Sequence, residues 1–163
     1  MKTGYASHGF PPLYDEHSEI LILGSFPSVA SRKEGFFYGH KQNRFWKVLS
    51  ACFNEKTPET IEEKTSLCKK HKIALYDSIE SCRIEGSSDA SIKDVVPADL
   101  TKIYDTSPIK LIIFNGSASQ KWFFKYQAIP VGVVSCSAPS TSPANAAYSL
   151  ERLIEEWSKL LLK

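Results

Sequence analysis

Short, continuous apolar runs alternate with helical apolar stripes along this chain. ILIL at 20–23 is apolar at every position and too short for a helix, the pattern of a strand buried on both faces. IALY at 73–76, KLIIF at 110–114 and VGVV at 131–134 predict three more strands. Phe45, Val48, Leu49, Cys52 and Phe53 recur at helical spacing, so a helix follows Asn43. A second helix is expected over 58–71, with Pro58 in its first turn and basic residues at its end. Shorter helices are expected over 97–104 and 117–127. The last helix carries the clearest stripe: Ala147, Leu150, Leu153, Ile154, Trp157, Leu160 and Leu161. The stretch 77–96 is polar and reads as irregular, and 136–145 reads as a loop rich in Ser and Pro. Strands that alternate with helices predict an α/β chain, a three-layer αβα sandwich around a four-stranded, mostly parallel sheet, built as one domain over 1–163.

Three of the four strands run straight into a polar loop, at Gly24-Ser25, at Asn115-Gly116 and from Ser135 onward. In a parallel sheet these loops share one edge, where open α/β sheets bind ligands. The longest spans 24–46, GSFPSVASRKEGFFYGHKQNRFW, and is too polar, glycine-rich and aromatic to be core. Loops of that length in compact domains are usually functional. The formal net charge is only +2, but Arg32, Lys33, Lys41, Arg44 and Lys47 fall in or beside this loop, with Glu34 alone opposing them. That clustering suits either a solvated surface or a nucleic-acid contact.

The four cysteines form no CxxC pair, and Cys68 with His71 is the one metal-like spacing, too little for a site, so no metal or cofactor is expected. The pattern suits a reducing compartment. The N-terminus has no apolar signal region and no run reaches the length of a membrane span, so a cytoplasmic chain is expected, with no membrane association. GxGxxG, GxxxxGK[ST] and GxSxG are all missing.

Asn43 admits two readings. It precedes a helix, where Asn is a preferred cap, and its amide oxygen is also suited to holding a water against a reacting carbon. Asn115 is either the start of an Asn-Gly turn or an amide that offers both donor and acceptor to a base edge. Phe36, Phe37 and Tyr38 lie between two glycines and cannot all face one core, so at least one should serve as a stacking surface. The loop SAPSTSPAN at 137–145 either clamps phosphate through its hydroxyls or caps the last helix through Ser142 or Asn145.

At these residues the chain resembles the uracil-DNA glycosylase superfamily. GFFYGHKQNRFWKVL is similar to the corresponding stretch of mismatch-specific uracil-DNA glycosylases, GSFPS to their Gly-x-x-Pro first motif, and APSTSP at 138–143 to their second motif. Those enzymes carry a water-positioning Asn where this chain has Phe26. The combination of GSFPS, QNRFW and PSTSPAN instead resembles the hypoxanthine-DNA glycosylase branch. The resemblance implies catalysis by Asn43 and stacking of the flipped base on Tyr38. It also implies a base contact from Asn115; the backbone of Gly24, Ser25 and Phe26 is expected beside the base, and DNA contacts are expected from the basic residues Lys33, Lys41 and Arg44 and the hydroxyl-rich Ser140, Thr141 and Ser142. The expected protein is a monomeric, cofactor-free, monofunctional glycosylase that acts on double-stranded DNA containing a deaminated base, hypoxanthine above uracil. A uracil or G:U/G:T mismatch glycosylase, and a non-catalytic nucleic-acid-binding module on the same fold, are the alternatives.

Overall fold

A computed structural model describes residues 4–162 of the 163-residue chain. Its central sheet has four strands, β2 (Ile20–Gly24), β3 (Ile73–Asp77), β6 (Leu111–Asn115) and β7 (Val134–Ala138), in the order β3-β2-β6-β7. Every pairing is parallel. The chain leaves β2 toward β3 on one side, and leaves β6 toward β7 on the other. The connections therefore reverse between β2 and β6, the switch point where a crevice opens at the carboxyl edge.

Right-handed crossovers then assign the helices to faces. The connection from β2 to β3 carries α1 (Val29–Glu34), α2 (Phe45–Cys52) and α3 (Ile61–Lys70) on one face. Connections in the opposite direction carry α4 (Thr101–Thr106) and α5 (Ser117–Tyr126) on the other. The last helix, α6 (Leu150–Leu161), packs against α2 and closes the three layers. Leu21, Ile22, Leu23, Leu75, Ile112, Ile113 and Phe114 are fully enclosed between them, together with Phe45, Phe123 and Trp157. At roughly 1.5–3 kcal/mol for each buried large side chain, these strands are the main source of cohesion.

The structure corrects the reading of 77–96. The chain passes from β3 through Ser78 into β4 (Ile79–Ile84), which pairs antiparallel with β1 (Gly4–Ser7) and β5 (Lys93–Pro97). This small sheet encloses its own core of Phe26, Ile79, Cys82, Ile84 and Ile92. Its strands alternate apolar with polar, and the polar half hides the pattern. The strand expected over 131–134 begins three residues later. Val131 and Gly132 form a turn, with Gly132 at φ 85°, and β7 is an outermost strand of mostly exposed residues, so its apolar signal is weak. The short helix expected over 97–104 begins at Thr101, because Pro97 still belongs to β5. Within the long loop, 29–34 folds as α1, capped by Ser28. Among the described residues no helix is long and apolar enough to cross a membrane.

Candidate active site

The carboxyl ends of three strands form the floor of a cleft of about 260 Å³. Asp77 at the end of β3 stands in register with Gly24 at the end of β2. Leu23 pairs with Phe114, which sets Asn115 one step further, on the far side of Gly24. Residues in register point to one face of a sheet, so Asp77 and Asn115 flank a position that has no side chain. The space is occupied: a Cβ on Gly24 would fall 2.4 Å from Asp77 Oδ1 and 3.3 Å from the Tyr38 hydroxyl.

Tyr38 enters from the long loop. Its two aromatic neighbours go to the core: Phe37 is buried against Phe10, and Phe36 stacks on Trp46 at 6.2 Å. Trp46 donates its indole N–H to the Phe37 carbonyl at 3.1 Å and so fixes the triplet. Phe37 also touches the cleft wall, but it is Tyr38 that lies at the surface of the cleft, with one ring face stacked on Phe45 at 4.0 Å. Its backbone sits in the left-handed region at φ 54°, a conformation that persists in a non-glycine residue only where the surroundings impose it. The hydroxyl is buried without a hydrogen-bond partner. It faces Asn115, whose amide gives one Nδ2 hydrogen to Thr141 and keeps the other. Burial, and then the nearby Asp77 charge, push the phenol far above its ordinary pKa, so it remains a donor.

A chain of hydrogen bonds joins the two amides. Thr141 donates its backbone N–H to Asn115 Oδ1 at 3.0 Å, and Asn115 Nδ2 donates to the Thr141 hydroxyl at 3.0 Å. That hydroxyl donates to Asn43 Oδ1 at 2.9 Å. Asn43 Oδ1 also accepts the Phe45 backbone N–H at 2.9 Å, which fixes the oxygen end of the amide; the cap position of α2 itself is Arg44, which has no side-chain capping bond. Both lone pairs of that oxygen are used, so the Nδ2 end is left for a ligand or water. Thr141 is fully buried. One hydroxyl therefore sets both amides, a hub that a Ser/Thr-rich motif does not announce in sequence.

The structure corrects the expectation for Arg44. Its guanidinium donates to the carbonyls of Tyr148, Ser142 (2.9 Å) and Asn145 (3.0 Å), and its backbone N–H to Thr141. It clamps the 140–148 loop from beneath and has little left for phosphate. Lys33 and Lys41 are exposed beside a shallow hollow next to the cleft. Ser140 and Ser142 line the cleft mouth with Thr141 behind them. The capping expected of Ser142 or Asn145 falls to Ser149, whose hydroxyl accepts Arg152 N–H at 3.2 Å. Ser25 holds Asp89 at 2.8 Å across the opposite lip, where burial raises the Asp89 pKa and the Ser25 bond opposes that rise. Phe26 lines the cleft with its edge and is otherwise buried in the small sheet's core. Sequence reasoning missed Asp77 and His8 altogether. His8 lies 69 positions from its partner, and nothing local marked the pair.

The model of the uracil DNA glycosylase superfamily matches residues 11–161. The chain belongs to that superfamily. Within it, a hypoxanthine DNA glycosylase of Methanosarcina barkeri is 36% identical over 116 residues, 70% of this chain and 73% of that protein. One of Methanosarcina acetivorans is 33% identical over 151 residues, 91% and 94% of the two chains. The solution NMR structure of a candidate uracil DNA glycosylase from Methanosarcina acetivorans superposes with a TM-score of 0.82 at 31% identity, covering 97% of each chain. The superfamily fold thus extends across the cleft and all the residues that build it.

Proposed function

We propose that this protein is a monofunctional DNA glycosylase that removes a deaminated base, hypoxanthine above uracil, from double-stranded DNA by hydrolysis of the N-glycosidic bond. The observation that carries this reading is the cleft itself. It offers one aromatic face backed by Phe45, a polar floor and a restricted volume, in a chain whose superfamily relatives are named as hypoxanthine DNA glycosylases. A base inside a duplex cannot reach such a floor, so it must be extruded, at a cost of a few kcal/mol that is least for a poorly paired base.

The extruded base stacks on Tyr38, an interaction of roughly 1–3 kcal/mol. Its sugar remains at the mouth, near Asn43. There the free Nδ2 of Asn43 holds the attacking water through one oxygen lone pair and leaves another for the anomeric carbon. As the C1′–N bond breaks, the sugar gains oxocarbenium character, the water oxygen bonds to C1′, and the water's proton ends on the departing base. The departing base gains negative charge beside the backbone of Gly24, Ser25 and Phe26 and the second Nδ2 hydrogen of Asn115, groups placed where that charge develops. Among the described residues no lysine lines the cleft, and the proposed reaction is simple hydrolysis without strand cleavage. Lys33 and Lys41 supply phosphate contacts outside the cleft, with Ser140 and Ser142 at its mouth.

The test is incubation with duplexes containing deoxyinosine or deoxyuridine, followed by alkali to cut abasic sites. We expect release of hypoxanthine, a slower release of uracil under single-turnover conditions, and no strand cut before alkali. Faster release of uracil would overturn the substrate preference, and no release from any duplex would overturn the enzymatic reading.

A further inference from the structure

His8 is fully buried, yet it is polar and lies next to the cleft floor. Phe10, Phe26, Phe37 and Tyr76 enclose its ring, with Tyr76 stacked at 4.2 Å and Phe10 at 4.4 Å. Nε2 lies 2.7 Å from Asp77 Oδ2, and Nδ1 has no partner among the described residues. An orphaned N–H in this aromatic box would cost more than an orphaned lone pair, so the ring proton sits on Nε2 and is donated to the carboxylate. This bond fixes Asp77 and spends one of its oxygens. The other, Oδ1, has no donor among the described residues and faces the cleft beside Gly24 and the Tyr38 hydroxyl. A carboxylate with only 7% of its side chain exposed, held from behind and open in front, is an acceptor that lacks its donor.

The position of Tyr38 says which part of a ligand would supply that donor. Its hydroxyl end lies at the floor, so a base stacked on the ring has its far edge there, with the sugar at the mouth. Hypoxanthine presents O6 and N1–H on that edge. Asn115, across Gly24, has one Nδ2 hydrogen left after Thr141, a donor for O6. Asp77 Oδ1 is an acceptor for N1–H. Building on the glycosylase reading above, we propose that Asp77, positioned by His8, is the specificity-determining residue that reads the imino N–H of the extruded base. Adenine has a bare N1 lone pair at the same place and meets a carboxylate that repels it. Sites built to pair a substrate N–H can reject an analogue without it by as much as about 10⁴-fold. Gly24 is what permits the arrangement, because any side chain there would displace Oδ1.

The experiment uses the full chain and two duplexes, one with deoxyinosine and one with 2′-deoxynebularine, whose purine base has a bare N1 and nothing on C6. Asp77→Asn is the variant. An Asn can keep its oxygen on the His8 N–H and must then turn its NH2 toward the cleft, where it offers a donor in place of an acceptor. Wild type is expected to prefer deoxyinosine at least about a hundredfold in single-turnover rate, and Asp77→Asn to shrink that ratio about tenfold or more. A merely structural role would slow both substrates alike and leave the ratio unchanged, and that result overturns the assignment while the glycosylase reading stands. If wild type releases no base from any duplex, the glycosylase reading falls and this assignment with it. Should Asp77→Asn be too slow to measure on either duplex, binding of free hypoxanthine and free purine by NMR titration gives the same ratio. A hypoxanthine preference retained in the variant counts against Asp77, and its loss counts for it.

Discussion

Replacing Thr141 by Val removes one hydroxyl and almost no volume. Thr141 is fully buried, and its hydroxyl accepts from Asn115 Nδ2 and donates to Asn43 Oδ1, at 3.0 and 2.9 Å. After the substitution Asn115 Nδ2 loses its partner in a dry place, which costs about 1–3 kcal/mol. Asn43 Oδ1 keeps the Phe45 N–H, so that end of the chain loses less. For a domain of this size the melting point should fall by roughly 2–12 °C, at about 2–4 °C per kcal/mol. The rate should suffer more than stability, because the Asn43 amide is then held at one point and can swing. A misplacement near 1 Å is worth about a hundredfold in rate. Thr141→Ser is the control. It keeps the hydroxyl but deletes a buried methyl, at about 1 kcal/mol. Melting and single-turnover deoxyinosine cleavage should be measured on the same preparations of all three proteins. The expected result is a dissociation: the Ser variant is less stable but near wild type in rate, and the Val variant is slow. If the two variants lose rate in proportion to stability, or if the Val variant is unchanged, the hydrogen-bond chain does not hold the site.

Asn43→Ala should lose the hydrogen bond to the first N–H of α2, about 1 kcal/mol in denaturant melts, and about a hundredfold or more in single-turnover cleavage; near-full activity from a less stable protein would leave Asn43 a structural residue only. Gly24→Ala should fold, since the clash it creates is with the Asp77 side chain, but its Cβ at 2.4 Å would push Oδ1 aside. Its cleavage of deoxyinosine duplexes should fall sharply with circular dichroism unchanged, and retained activity would show the floor to be pliant. Lys33→Ala with Lys41→Ala should weaken binding to all duplexes alike and flatten the log–log salt slope by about 0.9 for each phosphate no longer neutralised. Arg44→Ala, by contrast, should leave that slope unchanged and lower the melting point, because its hydrogen bonds go to loop carbonyls.

Strands buried on both faces were legible in the sequence. ILIL, IALY and LIIF have no polar position to confuse their period, and each ends within one residue of its expected boundary. The small sheet was not, because Glu80, Arg83 and Lys93 face outward and break the apolar runs that would have revealed it. The aromatic triplet could be divided in advance by a packing argument: Phe37 is buried in the core at the cleft wall, and Tyr38 is the less buried member that lines the cleft. Arg44 shows the opposite limit. A cation in a basic loop looks like a phosphate contact until the carbonyls brought to it from about a hundred residues away, at Ser142 and Asn145, are known. Asp77 and His8 carry no local signal of any kind, since each is a single polar residue and only the antiparallel pairing of β1 with β4 brings them together.

That pairing has a practical side. The superfamily match begins at residue 11, whereas His8 and the whole of β1 lie before it. A fragment trimmed to the matched boundaries would retain the central sheet, helices α1 to α6, Tyr38, Asn43, Asn115 and Thr141. It would nevertheless lack both His8 and the Phe10 wall of its aromatic box behind Asp77, and would leave the carboxylate free to rotate. Boundaries chosen for expression, or a bulky fusion joined directly ahead of Gly4, thus become variables in any assay of selectivity, even though they lie outside every recognisable motif.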